Sequence, residues 1–271
     1  MVACRVPGPL CAFAYPGTID DGTSARNATP PPTPLGTEAG ATMPPPQPAA
    51  APAGAAASAA SATPASTPVA TTMVTAVDLD TRTLAATAYG EGSSKNVFEE
   101  MAAIANVLVR QQKARGHASA SAFIKADKTF AFAAHDGNER YAKLMAATVD
   151  DINKDAGMAA AVAAAANALA KEPVDFANGA YFWDGADIKT NYANHAKVLG
   201  GIHFTDPQHN LYNIKDKELP GETWWVDAKG TKTKLRGKWR YKYESTAGWG
   251  GTIFWQYNAD FVKASGNKVY K

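Results

Sequence analysis

Leu84-Ala-Ala-Thr-Ala-Tyr-Gly-Glu91-Gly92 is the stretch on which the reading of this chain turns. It belongs to a segment, Asp78 to Ala88, that begins with helix-starting residues and continues with good helix formers, with Asp80 or Thr81 as the expected N-cap. Gly90 and Gly92 are expected to end that helix, because glycine accepts the left-handed conformation common at helix ends. Glu91 then stands between two glycines, immediately ahead of a second helix. A carboxylate at such a junction can be held half-buried against packed helices and still face a cleft. Burial of that kind raises a carboxyl pKa and suits the group to general-acid work. Taken alone, an acid at a helix end is more often a residue with no role.

Working outward, the second helix carries the clearest pattern. Asn96, followed three residues later by Glu99, resembles a capping box. Val97, Met101, Ile104, Ala105 and Leu108 recur at helical spacing, and Arg110 to Arg115 form a polar end closed by Gly116. Lys95, Glu99 and Glu100 read as solvated residues of the helix start. "SAFIKADKTFAFAAHDGN" is weaker and ends in a turn at Asp136-Gly137-Asn138. Tyr141, Leu144, Met145, Thr148 and Ile152 mark a third helix, and the alanine-rich run from Met158 to Lys171 a fourth, built for close approach and closed by Pro173. Beyond Pro173, "VDFANGAYFWDGADIKTNY" has the mixture of a binding loop or short strands. "KVLGGIHF" reads as a strand, and "ETWWV", "KWRYKYES" and "TIFWQYN" as aromatic β-hairpins. The fold class expected is α+β, a helical lobe with C-terminal β-hairpins.

Composition divides the chain. Residues 1–75 are dominated by Ala, Pro, Thr, Ser and Gly, and read as a disordered Ala/Pro-rich tail or linker unable to bury enough area to offset its ordering entropy. Residues 76–271 are then one domain of about 195 residues, ample for a single core. Cys4 and Cys11 both fall in the tail, so neither a disulfide framework nor a zinc motif is expected in the domain. His195, His203 and His209 are close in sequence, but their spacing matches no zinc signature. "MVACRVPGPLCAFAYPG" is too broken by proline for an ordinary secretory signal, and no run approaches a membrane span. Net charge is +2, yet "KGTKTKLRGKWRYK" from Lys229 to Lys242 holds seven Lys or Arg and no acid. Such a run is either a solvated hairpin face or a surface for a polyanion. Trp224, Trp225, Trp239, Trp249 and Trp255 read as hairpin core or as a ligand platform.

"LAATAYGEGSSKNVFEEMAAIANVLVRQ" resembles the opening of the SleB-type cell-wall hydrolase family, the spore-cortex-lytic enzymes and their relatives. Tyr89, Gly90 and Glu91 match its Tyr-(Gly/Ala)-Glu signature, and Met101, Ala103, Ala105, Val107 and Arg110 follow its second helix. "TFAFAAHDGN", "ALAKEPVDFANGAYFWDGADI" and "KVLGGIHFTD", the last with His203 and Phe204, resemble later blocks of the family in the same order, over about Leu84 to Asp206. "EGSSKN" stands where the family usually has E-A-x-G-E, and the chain after Asp206 lies beyond the likeness. The resemblance implies a lysozyme-like fold and cleavage of the β-1,4 bond between N-acetylmuramic acid and N-acetylglucosamine in peptidoglycan, by a muramidase or lytic transglycosylase.

Under that resemblance Glu91 is the catalytic acid, protonating the glycosidic oxygen as an oxocarbenium-like transition state develops. A transglycosylase needs no second carboxylate, and with none standing out the sequence leans that way. A hydrolase would draw its base or nucleophile from Asp136, Asp184 or Asp187. Tyr89 beside the acid, and Asp136, Asn178, Tyr181 and Trp183 further on, are the expected substrate-binding residues, with Phe182 either in the groove or in the core. No cofactor or metal is called for. Peptidoglycan is the expected partner, with neither nucleic acid nor membrane insertion. Reaching the wall without a signal implies specialised secretion as an antibacterial effector, or release at lysis. In the effector case a cognate immunity protein plugging the groove is the expected partner. The rival reading is a non-catalytic module that holds wall polymer or another polyanion through its basic, aromatic hairpins.

Overall fold

In the computed structural model residues 75–128 and 130–267 are described. The chain divides into two units, Met1–Pro64 and Ala65–Lys271, and all the described residues belong to the second. The tail assigned to residues 1–75, including Cys4 and Cys11, lies outside the described residues apart from Thr75.

The described unit is α+β. Its helical part runs α1 (Leu79–Glu91), α2 (Phe98–Ala114), α3 (Ala120–Ala126), a single 3-10 turn (Phe132–Ala134), α4 (Glu139–Ala146), α5 (Val149–Lys154) and α6 (Ala156–Leu169). There follow β1 (Phe182–Asp184), α7 (Asp187–Thr190), α8 (Ala196–Gly200) and β2 (Ile202–His203). β3 (Gly221–Val226), β4 (Lys232–Trp239), β5 (Tyr243–Trp249), β6 (Thr252–Tyr257) and α9 (Ala259–Ala264) complete it.

α1 is the central rod. Thr83 through Tyr89 are all buried, and α2, α4 and α6 pack around them. A helix enclosed on all sides must satisfy its polar groups internally. Thr83 and Thr87 do so by donating their hydroxyls to the carbonyls of Leu79 (2.7 Å) and Thr83 (2.8 Å). Ala161, Ala164, Ala165 and Ala168 of α6 are buried against α1 and α2, so the alanine-rich run does permit close helix approach. Full burial of Leu84, Met101, Ile104 and Leu108 contributes about 1.5–3 kcal/mol each.

β1, β6, β5 and β2 form one sheet in that spatial order, with β2 parallel to β5 and the other pairs antiparallel. Successive side chains on a strand face opposite sides. Accordingly Phe254 joins the helical core, while Ile253 and Trp255 join a second cluster with Ile188, Val198 and Ile202. Trp183 and Phe182 repeat that division on the edge strand β1. β3 and β4 form a separate two-stranded sheet.

Several local expectations change. α1 is capped by Asp78, which accepts from Thr81 N at 2.9 Å, and not by Asp80 or Thr81. The helix also continues through Gly90 to Glu91, and Gly92 follows in an extended conformation. Gly90 is needed for space: a Cβ there would lie 2.8 Å from Ala133 Cβ and 3.0 Å from Asn138 Oδ1. No Asn96–Glu99 capping box forms, since Val97 is the N-cap and makes no side-chain bond. Asn96 instead accepts from Arg140 Nη2 at 2.8 Å. The third helix is two helices, because Thr148 and Asp151 make a capping box that starts α5 afresh. "KVLGGIHF" is a helical turn and then a two-residue strand, parted at Gly201 (φ +86°). "KWRYKYES" spans the end of β4 and the start of β5.

Glu100 is the largest correction. It is 1% exposed, not a solvated helix-start residue. Its carboxylate accepts from Ser93 N (3.1 Å), Ser93 Oγ (2.6 Å), Gly251 N (3.0 Å) and Thr252 Oγ1 (2.8 Å). It therefore ties the α1–α2 turn to the β5–β6 turn. Removing one partner from a buried, charge-assisted network leaves the other groups unsatisfied. Glu100→Ala should cost about 3–5 kcal/mol in chemical denaturation. Gly90→Ala should cost about 1–3 kcal/mol by overpacking, read by the same method.

Candidate active site

Glu91 ends α1 on the wall of a cleft of about 460 Å³, lined also by Arg115, Phe130, Phe132, Phe182, Trp183, Asp184, Gly185, Asp187 and Lys197. Three parts of the chain meet there. α1 delivers the carboxylate, and the segment around the 3-10 turn brings Phe130 and Phe132. β1, together with Gly185, Asp187 and Lys197, forms the opposite wall.

Glu91 is half-buried. Its Oε1 accepts from Ala133 N at 2.7 Å, the Trp183 side chain also donates to it, and Asp136 lies close enough to repel it. Burial, the largest influence, pushes its pKa above the ordinary 4.5; the bonds from Ala133 and Trp183 oppose that, and the negative charge of Asp136 adds to it. A carboxyl kept protonated beyond the usual carboxylate range and facing an open cleft can give a proton to a bound leaving group.

The loop before β1 is held by polar residues that α2 buries for the purpose. Asn106 Oδ1 accepts from Phe176 N at 3.0 Å and Gln111 Nε2 donates to Tyr181 O at 2.7 Å. Arg110 donates to the Ala180 carbonyl and pairs with Asp175. From the sheet side, Thr246 Oγ1 donates to Ala177 O (2.7 Å) and Trp249 Nε1 to Phe176 O (2.9 Å). Trp183 is thereby set edge-on to Phe130, ring centroids 5.1 Å apart. Arg115 lies over the Phe130 ring at 5.3 Å and pairs with Asp127.

At the far wall sits a cluster of charges. Asp184, with a side chain 9% exposed, receives Lys197 Nζ at 2.9 Å to Oδ1 as a hydrogen bond and at 2.8 Å to Oδ2 as an ion pair without hydrogen-bond geometry. His195 Nε2 lies 3.3 Å from Asp184 and 3.2 Å from Asp187. Its bond to Asp184 holds the imidazole above its ordinary pKa, against the effect of burial. Asp184, Asp187 and His195 present donor atoms within 4.8 Å of one another, as a metal site would. The Lys197 ammonium already supplies the positive charge there. A second depression, of about 520 Å³ beside Trp239, has only exposed acids, Glu222 and Asp260, and no group fitted for proton transfer.

Of the residues expected in the site, Glu91 and Trp183 come together, with Asp136 beside them. Tyr89 does not line the cleft. It is 5% exposed and packs under Arg140, whose Cζ lies 3.9 Å from the ring centroid. Asn178 turns away to donate to Thr246 O at 3.1 Å, and Tyr181 lies under Arg110, 5.6 Å from Cζ to centroid. Neither is a cleft-lining residue; Asn178 is tied to β5, and Tyr181 lies between α2 and β6. Phe182 belongs partly to the second core cluster and partly to the cleft. Arg115, Phe130, Phe132 and Lys197 line the cleft without having been singled out as site residues. The paired phenylalanines of "KTFAF" offered a signal for two of them; Lys197 offered none, because its partner Asp184 is reached only through the fold.

Compared with protein-family models, with curated proteins and with solved structures, the chain matches none. The site therefore stands on its own geometry.

Lys197→Met would strand a buried carboxylate. It should destabilise the protein by about 3–5 kcal/mol in denaturant titration, and Asp184→Asn in the same background should recover part of that loss.

Proposed function

We propose that this protein cleaves the glycan strands of peptidoglycan, with Glu91 as the general acid. The observation that carries this is a single glutamate with a raised pKa on the wall of an aromatic-lined cleft. Trp183, Phe130 and Phe132 suit the apolar faces of pyranose rings. The helical lobe closed by a small sheet is consistent with a lysozyme-like arrangement. The likeness of "LAATAYGE" and the three later blocks to the SleB-type hydrolases supports the same assignment. Glu91 gives its proton to the glycosidic oxygen as that bond breaks. Two ways then remain to complete the reaction. In the transglycosylase route the Glu91 carboxylate takes the proton from the muramic hydroxyl that closes the anhydro ring. In the hydrolytic route a second carboxylate serves the attacking water or acts as nucleophile. Asp187, which lines the cleft with a side chain 65% exposed, suits that role better than Asp184, which is committed to Lys197, or Asp136, which does not line the cleft. An antibacterial effector of this kind would be neutralised by an immunity protein that occupies this cleft. Among the described residues no helix is long and apolar enough to cross a membrane.

The direct test is digestion of purified peptidoglycan, followed by turbidity and by mass spectrometry of the fragments. Glu91→Gln should lower the rate on the order of 10²–10⁴-fold, and wild-type turbidity loss by the mutant would refute the assignment. Anhydromuramic ends would identify transglycosylation and reducing ends hydrolysis.

The raised pKa makes two further outcomes definite. Activity that needs protonated Glu91 should decline as pH rises through its elevated value, on a limb displaced upward from the ordinary 4.5. Because burial penalises the charged form, the contribution of Glu91 to stability is fully present below the ordinary value and lost as pH rises through the folded one. Glu91→Gln, which keeps an acceptor for Ala133 N–H, should therefore melt above wild type at neutral pH, the gap closing toward acid pH. Thermal melts at a series of pH values measure this.

A further inference from the structure

The β3–β4 hairpin is attached at its base and bare elsewhere. At the base, Thr223 Oγ1 donates to Ala264 O at 2.5 Å, and Trp239 packs edge-on to Phe261 of α9 with centroids 5.1 Å apart. A Cβ on Gly237 would stand 2.8 Å from Ala264 Cβ, so α9 lies directly on the strand. A lone two-stranded sheet is marginal in water, and α9 is what fixes this one. Beyond that contact nearly every residue from Trp225 to Leu235 is exposed, including Trp225 at 53% and Val226 at 60%.

The charge on this element is one-sided. From Gly221 to Lys242 there are seven Lys or Arg against two acids, Glu222 and Asp227. Arg240 pairs with Glu218, and Lys238 reaches Glu222 only at 3.9 Å. Among the described residues Lys229, Lys232 and Lys234 have no carboxylate partner within ion-pair distance. Two tryptophans are interleaved with these cations: Lys232 Nζ lies 5.6 Å from the Trp224 ring centroid and Arg236 Cζ 4.5 Å from that of Trp225. Lysines on exposed strand edges also guard against edge-to-edge pairing. That duty does not call for an exposed tryptophan braced by an arginine.

We infer that this hairpin is a second binding surface, for the peptide-substituted glycan of the cell wall. Lys229, Lys232 and Lys234 meet the free carboxylates of the stem peptides carried on muramic acid, and Trp225 takes a sugar face. This rests on the reading of the cleft as a peptidoglycan-cleaving site, and holds an insoluble polymer near it by a contact the cleft does not provide. A bilayer is a poorer fit: Trp225 and Val226 are exposed, but the tip that would lead an insertion, Asp227-Ala228-Lys229-Gly230-Thr231, is polar and charged. A nucleic acid would satisfy the charge, but would not be the polymer the cleft acts on.

The experiment is co-sedimentation of the full chain with purified peptidoglycan sacculi, in the Glu91→Gln background so that the polymer stays intact. Lys232→Glu with Lys234→Glu should weaken binding at least about tenfold at low salt, and should flatten the salt dependence that steered charge contacts produce. Lys232→Arg with Lys234→Arg should retain binding, and Trp225→Ala should weaken it with an unchanged salt dependence. Lys171→Glu, an exposed reversal after α6, should bind as the parent does, which separates the hairpin from net charge. Melting curves exclude unfolded variants. Sedimentation unaffected by the hairpin reversals would overturn the inference, as would tighter binding to double-stranded DNA than to sacculi. Failure of the catalytic reading shows separately, as wild-type sacculi left uncut while the hairpin variants still lose binding.

Discussion

The buried carboxylate of Glu100 is the constraint on which the site depends. It stands in the first turn of α2, where the helix dipole favours negative charge. There it gathers donors from Ser93, just after Glu91, and from Gly251 and Thr252, between and within the last strands of the sheet. One side chain thus fixes the turn that carries the proposed acid relative to the sheet that carries the opposite wall. The Asn106, Gln111 and Arg110 contacts to the 175–181 loop do the same work about two and three turns further along α2. Position in the cleft is set by polar bonds from a helix whose apolar face makes the core.

The two walls of the cleft are electrostatically unlike. On the α1 side Glu91 is only partly compensated, by backbone N–H groups at Phe132 and Ala133 and by the Trp183 side chain, and its charged form is disfavoured. On the far side Asp184 is paired with Lys197 and backed by His195, its Oδ2 held by charge without a hydrogen bond. The poorly compensated carboxylate is the one that faces the aromatic rings.

Much of the scaffold was legible in the sequence. The apolar period of α2, the alanine run of α6 and the glycine-punctuated aromatic strands follow from local pattern, and the structure has them. The half-buried place of Glu91 at the end of α1, facing a cleft, also agrees with what its sequence neighbours led one to expect. What failed was whatever depended on distant partners. Glu100 looked like any acid at a helix start; its environment is made by residues about 150 positions away. Gly90 was read as a helix stop from conformational preference, when the requirement is space for Ala133. Asn178 and Tyr181 looked like groove residues by composition, and are instead tied to the scaffold, Asn178 to β5 and Tyr181 between α2 and β6. The Thr148–Asp151 capping box, by contrast, was present locally and would have divided the third helix correctly.

The central claim is that this scaffold keeps Glu91 protonated above the normal range for a glutamate. Titrating the Glu91 side-chain carboxyl carbon by NMR in the full chain tests it without reference to any substrate. The account requires a midpoint above 4.5, lowered when Asp136→Asn removes the neighbouring charge. A midpoint at or below that value, insensitive to Asp136, would contradict it.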